Sequence, residues 1–319
     1  MSRFVATQAK RLKLKARIGL TGATNTGKTY TALRIAGGLL KSEGAVLADG
    51  TPDWSKLVFI DTERKRSLFY ADDDLFGSFQ HIDFEPPYDP LSYIEAVQYA
   101  ESLGAVVCII DSLSHAWSGT GGVLEIVNEK TLNSRSKNTF TEGWGGKEGG
   151  TALQNKMIDA IMSSNMHVIC TFRQKMDYVQ EKDEATGKTV ITKLGVKPVQ
   201  RDDLEYEFDI TLKLNNDHTA EVIKNTVRFL SGNNTTLPMI TEEFGYTLGQ
   251  YLSNGVDSKQ AEDQVKQNYM NQIKQMVKVQ PPLLDYFKVK YPNTKLSELS
   301  TEQLKDLILE FRKMVNTNE

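Results

Sequence analysis

Across 319 residues the chain has only two cysteines and four histidines, and its formal net charge is -3 rather than positive. Each shortage excludes something. Cys108 and Cys170 sit inside the apolar runs AVVCII and HVICTF, where a small buried thiol is the expected role, so a disulfide framework is excluded. His81, His167 and His218 form no metal-ligand spacing with the cysteines, so none of them is expected to hold a metal. No apolar run approaches the roughly eighteen residues of a membrane span, and MSRFVATQAKRLKLKAR lacks the apolar core of a secretion signal. The sequence therefore predicts a cytoplasmic protein without membrane partners. A slightly acidic balance rules out a uniformly basic field, so any nucleic-acid contact must be local. With 39% hydrophobic and 25% charged residues, the rest is ordinary globular composition.

Against that background one stretch stands out. Gly22-Ala23-Thr24-Asn25-Thr26-Gly27-Lys28-Thr29 fits G-x-x-x-x-G-K-[ST]. Before it, Leu14, Ala16, Ile18 and Leu20 alternate as in a half-buried strand; after it, a helix pattern runs through Leu40. Glycines let such a loop turn its N–H groups around phosphate oxygens, and the following helix adds its partial positive charge. Residues 22–29 with Tyr30 are the predicted nucleotide contacts: Lys28 neutralises the terminal phosphates and the Thr29 hydroxyl ligates Mg²⁺.

Two further apolar runs end in acids: Lys56-Leu57-Val58-Phe59-Ile60-Asp61-Thr62-Glu63 and Ala105-Val106-Val107-Cys108-Ile109-Ile110-Asp111-Ser112. Continuous apolar strands suit a parallel sheet covered on both faces, whose carboxyl ends form the ligand crevice. Asp111 is the expected second Mg²⁺ ligand. Glu63 is left as the base that orients a water, with Asp61 as its substitute.

The order of these runs, with F-I-D-T-E ahead of I-I-D-S, resembles the RecA-like ATPases. The resemblance implies an α/β RecA-like P-loop NTPase core of mostly parallel strands flanked by helices. It makes Glu63 the catalytic base and places a γ-phosphate sensor at the end of Met166–Lys175, either Gln174 or Arg173. Tyr70 takes the place where an aromatic ring lies against adenine, or else belongs to the core. Asp111-Ser-Leu-Ser-His-Ala-Trp-Ser-Gly-Thr-Gly-Gly, Thr171-Phe-Arg-Gln-Lys-Met-Asp-Tyr-Val and Lys197-Pro-Val-Gln-Arg-Asp-Asp-Leu-Glu-Tyr-Glu-Phe-Asp look like a phage-encoded branch that includes single-strand annealing proteins of recombination systems. That branch implies ATP hydrolysis, a homo-oligomeric ring or filament, and single-stranded DNA as partner.

The remaining segments fit this reading. Tyr206, Phe208, Ile210, Leu212 and Leu214 alternate as a strand, Asn215-Asn216-Asp217 is a turn, and a return strand begins at Ala220, giving an added antiparallel hairpin. By the resemblance, Lys224 and Arg228 face the nucleotide of the next subunit, although Thr226 holds the arginine position; a guarded strand edge is the plain alternative. Insertions at 114–150, with Trp117, Phe140, Trp144, Lys130, Arg135, Lys137 and Lys147, and at 173–201, with Lys175, Tyr178, Lys182, Lys188, Lys193 and Lys197, are the candidate DNA contacts. The second is equally a structural hairpin. His115, near the Mg²⁺ site, reads as structural or signalling. Arg3, Lys10, Arg11, Lys13, Lys15 and Arg17 make the N-terminus basic without one acid, a phosphate-binding arm or a solvated tail. The expected organisation is a basic arm over 1–13, an ATPase domain over 14–252 and a small helical module over 259–319. In that module Ser300-Thr301-Glu302-Gln303 is a capping box, and the module either docks a partner such as a single-strand-binding protein or packs as a tail.

Overall fold

A computed structural model describes residues 4–6, 9–182, 189–202, 204–228, 230 and 232–317, with the backbone alone for 176–182, 189–196, 205, 258, 316 and 317. The chain forms two compact units, residues 15–252 and residues 1–14 with 253–319. Arg3 and Lys188, and the side chains of Tyr178, Lys182 and Lys193, lie outside the described residues.

In the larger unit the strands are β1 (Arg17–Gly22), β2 (Leu57–Asp61), β3 (Gln80–Asp83), β4 (Val107–Asp111), β5 (His167–Lys182), β6 (Thr189–Pro198), β7 (Ile210–Leu214), β8 (Ala220–Asn225) and β9 (Thr236–Leu237). Their order is β3-β2-β4-β5-β1-β7-β8-β9, with β6 on β5. From β3 to β7 all pairings are parallel, and β8 and β9 add antiparallel. This is the mixed α/β architecture with an added hairpin that the sequence implied.

Period-2 geometry explains the continuous apolar runs. Leu57, Phe59, Val107 and Ile109 point into one core with α1 (Lys28–Ser42); Val58, Ile60, Cys108 and Ile110 point into another on the opposite face. α2 (Pro90–Ser102) supplies Tyr93 and Val97 to that second core, and the helix over Gly150–Ser163 supplies Met157, Ile158 and Ile161. Both cysteines are buried and unpaired, and burial pushes both thiols up, Cys108 to about 12. They are packing residues.

Three local readings are corrected. β1 is buried at all six positions instead of alternating, because both its faces are covered. Arg17 is therefore no part of a phosphate-binding arm: it is 7% exposed, and its guanidinium donates to carbonyls of Ala16, Met162, Ser164 and Met166. The hairpin strand starts at Ile210, not Tyr206. Leu204–Tyr206 is a short 3₁₀ turn with Tyr206 exposed, and β7 joins β1 only after Asp209 has accepted the Arg17 N–H at 3.2 Å.

The first insertion is mostly helix: α3 (Ser114–Ser118), α4 (Val123–Asn133), a π turn over Thr139–Trp144, then α5 (Gly150–Ser163). Trp117 and Trp144 pack on each other at 5.7 Å between ring centroids, while Phe140 is 84% exposed. The second insertion is the β5–β6 hairpin, paired from Gln174↔Pro198 to Lys182↔Thr189. α6 (Glu242–Ser253) closes the larger unit against α1, so tightly that a Cβ on Gly38 would stand 2.0 Å from the Glu242 carbonyl.

The smaller unit has its own core. Tyr269, Met270 and Ile273 of α7 (Ser258–Val279), Leu283 of α8 (Pro282–Lys290) and Leu304, Leu307, Ile308 and Phe311 of α9 (Thr301–Thr317) pack together with Val5. The N-terminal segment joins this unit through a bridge between Leu12 and Val256, with Lys13 N–H donating to Val256 O at 2.9 Å. Among the described residues no helix is long and apolar enough to cross a membrane.

Candidate active site

The loop between β1 and α1 keeps the geometry its glycines allow. Gly27 is the N-cap of α1 at φ 87° and Asn25 lies at φ 67°, left-handed values that glycine and asparagine tolerate best. No side chain caps the first turn of α1, so its N–H groups remain available to an anion. Lys28 donates from Nζ to the carbonyls of Gly22 at 2.9 Å and Ala23 at 2.7 Å. Burial lowers its pKa, opposed by the charges of Asp111 and Glu63.

Strand register brings the acids to this loop. Asp61 and Asp111 are partners across β2 and β4, and Gly22 pairs with Arg173 across β1 and β5. Asp111 is 4% exposed and accepts from the Thr29 hydroxyl at 2.5 Å and from the Thr171 hydroxyl. Burial pushes its pKa up against those two bonds. A buried carboxylate beside a threonine hydroxyl, both hard oxygen donors, fits Mg²⁺, which takes few protein ligands and keeps waters and phosphates for the rest. Among the described residues no three His, Cys, Asp or Glu side chains cluster to hold a metal. The oxygen donors of Asp111 and Thr29 suit this hard cation better than zinc, which prefers nitrogen and sulfur.

Glu63 stands beside them. Its Oε1 accepts from Ser112 Oγ at 3.0 Å and from Arg173 Nε at 2.7 Å, and its Oε2 takes Arg173 Nη2. Burial pushes the carboxyl up, but the Arg173 hydrogen bonds and charge, joined by His115 and Ser112, hold it below its ordinary value. Asp61 is fully engaged: Oδ1 accepts the Glu63 N–H at 2.7 Å and Oδ2 accepts the Ser67 N–H and hydroxyl at 3.0 and 2.6 Å. It shapes the turn that presents Glu63. His115 contacts the Thr62 hydroxyl at 2.7 Å and stacks on Tyr88 at 4.8 Å, tying α3 to the same turn.

These groups open onto a cavity of about 850 Å³. Gly22, Thr24, Asn25, Gly27, Lys28, Thr29, Tyr30, Glu63, Asp111, Arg173 and Gln174 all line it. Ala23 and Thr26 serve the loop internally, the Thr26 hydroxyl donating to the Ala23 carbonyl at 2.9 Å. Both sensor candidates line the cavity, and Arg173 is in addition bound to Glu63. Tyr70 both lines the cavity and packs with Tyr30 and Phe76, at 6.1 and 6.2 Å. Lys224 and Arg228 lie outside it. Lys224, level with Thr211 and hence with Gly19 below the loop, donates to the Tyr206 carbonyl, and Arg228 is exposed.

Sequence reasoning missed other lining residues. Thr31, Phe69, 85% exposed, Arg66, Met239 and His218 complete the wall. Phe69 had a signal in its neighbour Tyr70. His218 and Met239 had none, because only strand pairing brings them to the loop, β1–β7–β8 for His218 and β8–β9 for Met239. No curated protein matches the chain. A family model described as an AAA domain matches residues 14–237, spanning the loop, both strand-end acids and the hairpin. By that match over most of its length, the chain belongs to the AAA domain family of P-loop NTPases.

Proposed function

We propose that the protein binds and hydrolyses ATP with Mg²⁺ as a ring or filament, and uses that cycle to bind single-stranded DNA for annealing or recombination in phage DNA metabolism. One observation carries the hydrolytic part: Lys28, Thr29, Asp111 and Glu63 converge at the carboxyl ends of three strands around a single cavity. Lys28 and the N-terminus of α1 hold the phosphates. Thr29 and Asp111 are the residues that hold Mg²⁺, which when bound offsets phosphate charge. Glu63, kept ionised by Arg173, is the base that orients the attacking water. Gln174 senses the terminal phosphate from the cavity wall. Lys224 and Arg228 act toward a neighbouring copy. Lys28→Ala abolishes nucleotide affinity in this reading, measured by titration with a fluorescent ATP analogue.

The DNA part is supported by chemistry at the two insertions. Phe140 stands exposed between Lys137 and Lys147 in sequence, and Lys175 and Lys197 flank the base of the β5–β6 hairpin. A second reading, a nucleotide-controlled assembly protein without DNA pairing, is favoured by the acids already beside these cations. Lys130 meets Glu148 at 3.6 Å and Lys197 meets Asp202 at 3.7 Å. A salt titration of labelled single-stranded DNA, with and without a nonhydrolysable ATP analogue, decides between them. Nucleotide-dependent, salt-sensitive binding supports the DNA role; no binding at low salt in either state leaves the assembly role.

A further inference from the structure

The turn between β7 and β8 forms a wall of the cavity that no sequence motif announces. β7 pairs with β1 as far as Gly22↔Leu214, so the turn after Leu214 leaves the sheet beside the loop after Gly22. Its shape is fixed from within. Asn215 N–H donates to Thr219 O at 2.9 Å and His218 N–H to Asn215 O at 3.0 Å. Thr219 donates from N–H and hydroxyl to Asp217 Oδ1 at 3.0 and 2.6 Å, and Asn215 Nδ2 donates to the Thr219 hydroxyl at 3.0 Å. Inside this turn His218 has φ 63°, a left-handed value uncommon outside glycine and most accessible to Asn, Asp and His.

That conformation lays the imidazole on the phosphate loop. Nδ1 is 3.3 Å from the Thr26 carbonyl oxygen, at the long end of hydrogen bonding, and a Cβ added to Gly27 would stand 3.3 Å from the same nitrogen. A carbonyl oxygen only accepts, so Nδ1 carries the proton and donates. The Thr26–Gly27 peptide is planar and trans, so its C=O and N–H point to opposite sides. Whatever holds the Thr26 carbonyl therefore also aims the Gly27 N–H. We infer that His218 is a positioning residue for nucleotide binding: from the β7–β8 turn it fixes the Thr26–Gly27 peptide plane and so preorganises the loop that receives the phosphates.

The inference rests on the cavity being a nucleotide site, and it concerns affinity rather than chemistry, since His218 touches neither Glu63 nor Asp111 among the described contacts. It also separates two roles of one residue. The turn's own hydrogen bonds need only the backbone of His218, whereas the loop contact needs its ring. Glycine keeps the left-handed backbone and removes the donor; asparagine keeps the backbone and restores a side-chain N–H.

The experiment uses the full chain, titrated with a fluorescent ADP analogue and assayed for ATP turnover, in wild type, His218→Gly and His218→Asn. A single net hydrogen bond is worth about a fivefold change in affinity. H218G is expected to raise Kd and KM by about that factor while kcat stays within about twofold and the melting temperature without nucleotide is unchanged. H218N is expected to recover most of the affinity. H218G binding as tightly as wild type overturns the inference alone, as does a folded H218N that binds no better than H218G. Wild type failing to bind nucleotide overturns the nucleotide reading and this inference with it.

Discussion

Every buried polar or charged side chain among the described residues lies in residues 15–252, while the helical unit buries only Tyr269, Met270, Ile273, Leu283, Leu299, Leu304, Leu307, Ile308 and Phe311. The larger unit also holds 22 of the 23 glycines. Charge divides the same way: the helical unit with its N-terminal segment has 14 Lys and Arg against 9 Asp and Glu, inside a chain that is acidic as a whole. A site that handles phosphate and metal must keep carboxylates and hydroxyls in a low dielectric, and each of them then needs a fixed partner. The bonds of Asp61, Asp111 and Thr62 supply those partners. The helical unit buries no carboxylate among the described residues, and its apolar periodicity agrees with its helices.

The largest expected effect tests whether the polar network is catalytic. Glu63→Gln keeps the shape and the Ser112 contact and removes the carboxylate proposed as the base. Turnover is expected to fall about 10²- to 10⁴-fold with nucleotide affinity retained. Glu310→Gln, in the exposed Lys290 pair of the helical unit, leaves turnover unchanged. Unaltered turnover in the Glu63 variant would move the base elsewhere, and Asp61, with both oxygens engaged, is a poor successor.

Next in size is the buried arginine. Arg17→Met removes the donor shared by the carbonyls of Ala16, just before β1, and of Met162, Ser164 and Met166, at the end of α5 and just past it, leaving buried acceptors unpaired. A loss of about 3 kcal/mol is expected in denaturant melts of the larger unit. A neutral result would mean that water replaces the guanidinium and that this unit depends less on buried polar pairing than the comparison implies.

Much of this was legible in the sequence, for reasons that differ by residue. Lys28, Thr29 and Asp111 could be placed because a fixed spacing and a strand end encode them locally. Ser300 and Gln303 form the capping box that their spacing announced, at 2.8 and 3.1 Å. The alternation of Tyr206 and Phe208 misled because a hydrophobic period does not report sheet pairing: Phe208 is buried in a core, Tyr206 is exposed on a short turn, and the pairing of β7 begins only at Ile210. Arg17 misled because a basic run cannot show which member is buried until a helix end is brought to it. His218 was invisible because its neighbour Thr26 is 192 residues away in sequence.

A smaller effect depends on pH. His167 is buried at the start of β5: its Nδ1 accepts the Ala16 N–H at 2.9 Å, so Nε2 carries the proton and donates to Glu43 Oε1 at 2.9 Å. That bond, with Lys15 at 2.8 Å, outweighs burial and holds the Glu43 carboxyl at about 2 instead of 4.5. A depressed carboxylate contributes stability above its unfolded pKa and loses it as pH falls through the folded one, so the window runs from about 4.5 down to about 2. His167, lowered chiefly by burial, acts in the same direction, since charging it takes the acceptor from Ala16. Glu43→Gln is expected to cost on the order of 2 kcal/mol at pH 7 and to flatten the acid limb of the melting profile. An unchanged acid limb would place the acid sensitivity of the larger unit at other carboxylates.

The smallest effect belongs to the helical unit. Ser300 Oγ accepts the Gln303 N–H, and the Gln303 side chain returns to the Ser300 N–H, so two donors at the start of α9 depend on one local box. Ser300→Ala is expected to cost about 1 kcal/mol, and Ser300→Gly a few tenths, read as faster amide exchange in the first turn of α9 and a slightly lower melt of that unit. Nucleotide affinity and turnover should not move, because a cap acts over one turn and Leu304, Leu307, Ile308 and Phe311 still bury the same face. A change in nucleotide affinity from this substitution would show that a helix end in one unit is energetically coupled to the phosphate loop in the other, and the two could no longer be treated as independent.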